Sequence, residues 1–171
     1  MGTSEKTVEV KTYGSPVLRG QAKPVEDIDD DVKGLSQRMV EAMLQANAVG
    51  IAAPQLGIST RIIALDINDE LHILINPEII GSSKLAEEEQ EGCLSIPGVA
   101  APIPRKVKTA VKGITLAGKQ VELEGEGLMA RAIQHEIDHL NGVLYIDYLT
   151  STRRKMLLKE YRKQSKEEGE G

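Results

Sequence analysis

Two histidines four residues apart, His135 and His139, constrain this chain more than any other feature. They flank Glu136 in the order His-Glu-x-x-His, within residues 131–142. Residues i and i+4 of an α-helix lie one turn apart on one face, so two imidazoles at this spacing can bind one ion together. A carboxylate just after the first His reaches a metal-bound water without being a ligand, which is the hydrolytic form of the motif. The surrounding pattern predicts a helix. Leu128, Ala132, His135 and His139 share one face, and Met129, Ile133, Ile137 and Leu140 give the opposite side an apolar stripe. A helix apolar on most sides is a buried one. Asn141-Gly142 supplies the stop, because Gly tolerates the left-handed conformation beyond a helix end. Four-residue patterns also recur by chance, and a buried His is usually a hydrogen-bonded core residue. The motif needs a third ligand.

At 171 residues the chain suits one domain with a proper core. It has no Trp and no Phe, so aromatic stacking is not its main binding device and the core falls to Ile, Leu, Val, Met and Ala. The net charge of -5 argues against a general nucleic-acid binder, DNA included. The charge is uneven: residues 151–171 carry a net of +3 and the remainder -8, so a basic tail could touch phosphate where the body would not. One cysteine, Cys93, excludes an internal disulfide and points to a reducing, cytoplasmic compartment. Residues 1–6 lack the apolar run of a signal peptide, and no run approaches a membrane span, so no membrane partner is expected.

Residues 7–12 alternate as a short strand with Val8 and Val10 on one side. Residues 28–46 read as an amphipathic helix, with Asp27 or Asp29 able to cap it. The run Asn47 to Gly57 is rich in small residues that permit close backbone approach to a ligand or another element. Residues 61–67 and 71–80 form a predicted hairpin across Asn68-Asp69-Glu70, with Asn76-Pro77 ending or bulging its second strand. The acidic run Glu87-Glu88-Glu89-Gln90-Glu91 reads as a solvated strand edge, and Pro102 and Pro104 mark irregular chain. A second hairpin spans residues 105–116 and 120–125. Strands precede the main helix, which suits an α+β fold rather than βαβ winding: antiparallel or mixed sheets around a central metal-binding helix, with an N-terminal amphipathic helix and a C-terminal helix.

Few residues can supply the third ligand. His72 reads as an ordinary strand side chain. Tyr145 stands where a third motif His would fall, six positions after His139. Glu160, 21 positions past His139, would give a zinc endopeptidase, but its charged neighbours read as a solvated face. Cys93 remains, in Glu91-Gly92-Cys93-Leu94-Ser95. Taken with Gly50-Ile51-Ala52-Ala53-Pro54-Gln55 and Gln134-His135-Glu136-Ile137-Asp138-His139, this segment resembles the three motifs of the bacterial-type, metal-dependent peptide deformylases, in the family's order. The resemblance covers roughly residues 7–150. Two positions depart from it, Ala48 for the usual Gly and Ser15 for the usual Asp before Pro16.

The resemblance implies a hydrolase that removes the formyl group from N-formylmethionyl nascent chains and releases formate. It implies Cys93, His135 and His139 as ligands of one divalent metal ion, Fe(II) as the expected native ion with Zn, Ni or Co able to substitute. Two neutral imidazoles and a thiolate leave a net +1 centre, which suits generation of hydroxide from bound water. Attack by that metal-bound hydroxide, with Glu136 as general acid and base, is the implied chemistry. The Gln55 side-chain amide and the Leu94 backbone N–H would meet the oxyanion. Val49, Gly50, Leu128, Ala132 and the alkyl stem of Arg131 would line the substrate pocket. The catalytic domain is expected over residues 1–150. A charged helical tail over 151–171, capped by Ser151 or Thr152, is expected to dock on the ribosome. A binding module without catalysis is the remaining alternative, although no essential position is missing.

Overall fold

Asp29 starts the first helix, its carboxylate accepting the Val32 N–H at 2.9 Å, and α1 runs Asp30–Gln45. The structure, a computed structural model, describes residues 8–169. After α1 come β1 (Gly50–Ala52), β2 (Ile62–Ile67), β3 (Glu70–Ser82), β4 (Ala86–Cys93), β5 (Ile96–Lys106), β6 (Lys108–Ile114) and β7 (Gln120–Glu126). Then follow α2 (Leu128–Leu140), a 3-10 turn at Tyr145–Tyr148 and α3 (Ser151–Gly169). One sheet has five strands in the order β1-β2-β3-β6-β7, and β4 and β5 pair as a second sheet. All named pairings are antiparallel. This is the expected α+β architecture.

The five-stranded sheet is covered on both faces at its β1–β2 end, which explains why Ile62, Ile63, Ala64 and Leu65 are apolar in succession rather than alternating. Ile63 and Leu65 pack with Ala132, Ile133, Ile137 and Leu140 of α2. Ile62 and Ala64 pack with Leu35, Met39, Ala42 and Met43 of α1. A third cluster joins Ile96 and Ile103 of β5 to Tyr145, Ile146 and Leu158. The helix α2 thus lies between the large sheet and the β4–β5 hairpin. Gln134 ties it to that hairpin, its Oε1 accepting from Lys106 N–H at 3.0 Å and its Nε2 donating to Lys106 O at 2.9 Å.

The expected β2–β3 hairpin forms, with Asn68 and Asp69 both at positive φ, the backbone that a two-residue turn needs and that Asn and Asp tolerate. Asn76 is left-handed as well, and the β3–β6 register shifts between Ile75 and Glu78, so Asn76-Pro77 is a bulge. Three expectations are corrected. Residue 7 lies outside the described residues, and residues 8–12 form no strand. Instead, Lys11 N–H binds Gln55 O at 2.7 Å and Tyr13 N–H binds Ser95 O at 2.8 Å, two isolated bonds to different turns rather than a ladder. Pro102 and Pro104 lie inside β5. They are two apart and face the same way, so their missing N–H groups fall on one side of a two-stranded sheet, where no bond is lost. Thr150 rather than Ser151 or Thr152 caps α3, its Oγ1 accepting from Arg153 N–H at 3.3 Å. Among the described residues no helix is long and apolar enough to cross a membrane.

Candidate active site

Cys93 ends β4, and the two-residue turn Leu94-Ser95 returns the chain into β5. This hairpin tip projects over the face of α2 that carries His135 and His139. Their Nε2 atoms lie 3.2 Å apart, and Cys93 Sγ lies 3.3 Å from His139 Nε2. The three ligand atoms fall within 4.8 Å of one another, and among the described residues they form the group of His, Cys, Asp or Glu able to hold a metal ion. A tetrahedral ion with ordinary Zn–N and Zn–S bonds would separate two nitrogens by about 3.3 Å and a nitrogen from a sulfur by about 3.6 Å. The cluster therefore fits one ion, and its soft sulfur with two imidazoles suits a first-row transition metal. Glu160 is exposed on α3, bonded to Gln164, and is not in the cluster.

Glu136 is 4% exposed, and its Oε2 has no hydrogen-bond partner. Burial pushes its carboxyl up to about 7, with the His135 charge opposing that rise. Gly50 makes room for it: a Cβ there would lie 3.0 Å from Glu136 Oε1 and 3.1 Å from its Cγ. A carboxyl poised near neutrality, with one oxygen unpartnered, suits proton transfer. Burial, aided by the neighbouring His135 charge, holds His139 well below the ordinary histidine range and so in its neutral, ligating form. Burial also opposes charge on His135, but hydrogen bonds to Cys93 and Glu91 outweigh it and raise that imidazole.

Gln55 sits in a 3-10 turn after β1, its Oε1 accepting from Ala52 N–H at 2.9 Å. That leaves Nε2 pointing at the hairpin tip, 3.1 Å from Ser95 Oγ and 3.7 Å from Cys93 Sγ. A cleft of about 520 Å³ opens from the cluster, and it brings together Val49, Gly50, Gln55, Leu94, Leu128, Arg131 and Ala132, all expected from sequence. Val49 and Leu128 stand exposed at its rim, and Ala132 is buried in its floor. Arg131 contributes its stem, because its guanidinium turns away to Ile103 O at 2.8 Å and Glu87 O at 2.9 Å.

Glu91 corrects the reading of the acidic run as solvated. Glu87, Glu88 and Glu89 are exposed, but Glu91 is 6% exposed and its Oε1 meets His135 Nδ1 at 2.5 Å. Burial would raise this carboxyl, and the bonds to His135 and Arg105 outweigh it and hold it low. Arg105 Nε and Nη2 grip its two oxygens at 3.1 and 3.0 Å, and Arg131 Nη1 adds a longer contact of 3.4 Å. A carboxylate on the far nitrogen of a ligating His fixes its tautomer and orientation. Sequence reasoning missed this role of Glu91 and missed Arg105 altogether. The available signal was Glu91's place two residues before Cys93, on the same side of β4.

An unpartnered buried acid beside a three-ligand cluster, at the end of an apolar cleft, is the constellation of a hydrolase. The model of the polypeptide deformylase family matches residues 7–155. Peptide deformylases of Natranaerobius thermophilus and Halothermothrix orenii are 46% and 45% identical over 140 and 152 residues, or 81% and 88% of this chain and 90% and 98% of theirs. The crystal structure of a peptide deformylase from Legionella pneumophila matches with a TM-score of 0.92 at 38% identity, covering 96% of this chain and 99% of that one. That from Synechococcus elongatus, in complex with actinonin, matches at 0.87 and 36% identity, covering 94% and 89%. The chain belongs to the polypeptide deformylase family.

Proposed function

We propose that this chain hydrolyses the formyl amide of N-formylmethionyl nascent peptides in the cytoplasm and releases formate. The observation that carries this reading is the placing of the unpartnered Glu136 Oε2 beside the Cys93–His135–His139 cluster, at a cleft whose wall is Gly50. Cys93, His135 and His139 would hold one divalent ion, with Fe(II) the expected native metal and Zn, Ni or Co able to replace it. That ion supplies Lewis acidity and lowers the pKa of water toward neutrality. Glu136 takes the proton of the attacking water and later hands it to the departing amine. Gln55 Nε2 and the Leu94 N–H donate to the oxyanion; losing one such donor typically costs about 10²–10³ in rate. Gly50 admits a formyl group and little else. Val49, Leu128, Ala132 and the stem of Arg131 receive the methionine side chain. The peptide backbone lies along the free edge of β1, as an added strand.

Formate release from a formyl-Met peptide, with metal analysis of the same sample, tests this. Release at one metal per chain, blocked by the actinonin that the Synechococcus elongatus relative binds, is expected. Metal-loaded protein that releases no formate would overturn the reading.

Residues 1–150 are proposed to carry the chemistry and residues 151–171 to dock on the ribosome. Arg153, Lys155, Lys159, Arg162, Lys163 and Lys166 are exposed on α3 and give it a cationic surface suited to ribosomal RNA phosphate. Co-sedimentation with ribosomes should fall as salt rises. Binding indifferent to salt would remove the electrostatic basis of this docking.

A further inference from the structure

The grip of Arg105 on Glu91 is itself held from the far side. Arg105 uses its Nε–Nη2 edge for Glu91 and turns Nη1 to Asp138 Oδ2, at 2.6 Å. The same oxygen accepts the Tyr148 O–H at 2.7 Å, and the Tyr148 ring lies under the guanidinium, 4.7 Å from its centre. A guanidinium with hydrogen bonds on two edges and a ring against its face has no freedom to rotate. His135 and Asp138 stand three apart on α2, so Arg105 straddles a single helical turn, reaching one residue through Glu91 and the other directly. The arrangement fixes the β4–β5 hairpin, which carries Cys93, against the helix that carries the two histidines.

We propose that Asp138 and Tyr148 are positioning residues for the metal site. By locking the plane of Arg105 they clamp Glu91 on His135 and set how slowly the ion leaves. Neither residue touches the cleft or the ligand atoms. Asp138 is partly buried, and Tyr148 brings the chain of contacts to the surface through the 3-10 turn after α2. Partners behind a metal ligand typically change affinity about 10–100-fold when removed. This inference rests on the metal reading of the cluster.

The test follows release of Co(II) or Zn from the loaded full-length protein to a chromogenic chelator. Asp138→Asn should speed release by about 10-fold or more. Tyr148→Phe keeps the stacked ring and removes only the O–H, so it should speed release by a smaller factor of about 3, with a shifted visible spectrum of the Co(II) form in both variants. Asp147→Asn is the structural control. It breaks the bidentate pair with Arg19, at 2.7 and 3.1 Å, on the same 3-10 turn without touching Arg105. It should lower the melting temperature and leave release unchanged. Wild-type release and spectra in both Asp138→Asn and Tyr148→Phe would overturn the proposal. So would Asp147→Asn releasing metal as fast as Asp138→Asn, which would make the effect general loosening. Wild-type protein that binds no metal would instead overturn the reading on which the inference rests.

Discussion

Replacing Glu136 by Gln removes one ionisable oxygen from a site where it has no partner. Metal content should stay at the wild-type level while turnover falls by about 10²–10⁴, the usual worth of a positioned acid–base group. Metal loss equal to that of His135→Ala would make Glu136 a ligand. The same substitution changes how the metal-free protein responds to pH. The Glu136 carboxyl rises from 4.5 to about 7 on folding because burial disfavours its charge. The folded state therefore keeps a proton that the unfolded state has already lost above pH 4.5. This stability is full below about 4.5, declines as pH rises to about 7 and is level beyond. The decline is of the order of 3 kcal/mol at 1.4 kcal/mol per pH unit. Urea titrations should show it in the wild type and not in Glu136→Gln. The pairing of His135 with His139 is legible in the sequence because two imidazoles four apart share a helix face, whereas Cys93 joins the candidate set through the motif resemblance and not through any spacing to them. Glu91 is less legible, since its place two residues before Cys93 marks it among four neighbouring acids only once that stretch is known to be a strand. Only the pleat of β4 and a buried arginine from β5 single it out.

At the scale of elements, α2 is the most legible piece, because its apolar face and its Gly142 stop are both local. Gly142 also has a role that no local pattern announces. It sits at φ +74, and a Cβ there would come 2.5 Å from Arg19 O, where the N-terminal segment crosses the helix end. Arg19 Nη1 donates to Gly142 O at 3.2 Å and holds Asp147 as well. Gly142→Ala combines backbone strain with a collision against main chain, so it should lower stability by about 2 kcal/mol or more, read as a fall in melting temperature. A change below 0.5 kcal/mol, roughly the worth of an ordinary surface substitution, would mean that the crossing yields easily. The β2–β3 hairpin is legible from Asn68-Asp69 for the same local reason. β5 is not, because proline normally argues against a strand, and it is the unpaired outer edge of β5 in a two-stranded sheet that lets Pro102 and Pro104 stay.

For the whole molecule, the division between body and tail is less clean than the charge pattern suggests. Leu158 of α3 is 7% exposed and packs with Tyr145, Ile146 and Ile103, and Tyr161 meets Tyr13 edge to face. Truncation after Leu149 removes a buried leucine and its neighbours, so about 2–5 kcal/mol of stability should go. Hydrolysis of short formyl peptides should survive at low temperature, and the melting temperature should drop. An unchanged melting temperature would show the tail to be energetically separate. Finally, the ligands come from two parts of the chain: Cys93 and His139 are 46 positions apart, one on a hairpin tip and the other on a helix. An ion held between them, as proposed, would act as a removable clasp that closes a loop of that length. By the chain-entropy model a permanent link of this span is worth about 4 kcal/mol. Chelation should therefore do more than stop turnover. Amide hydrogens of β4 and β5 should exchange faster in the stripped protein, while those of β2, buried on both faces, keep their protection.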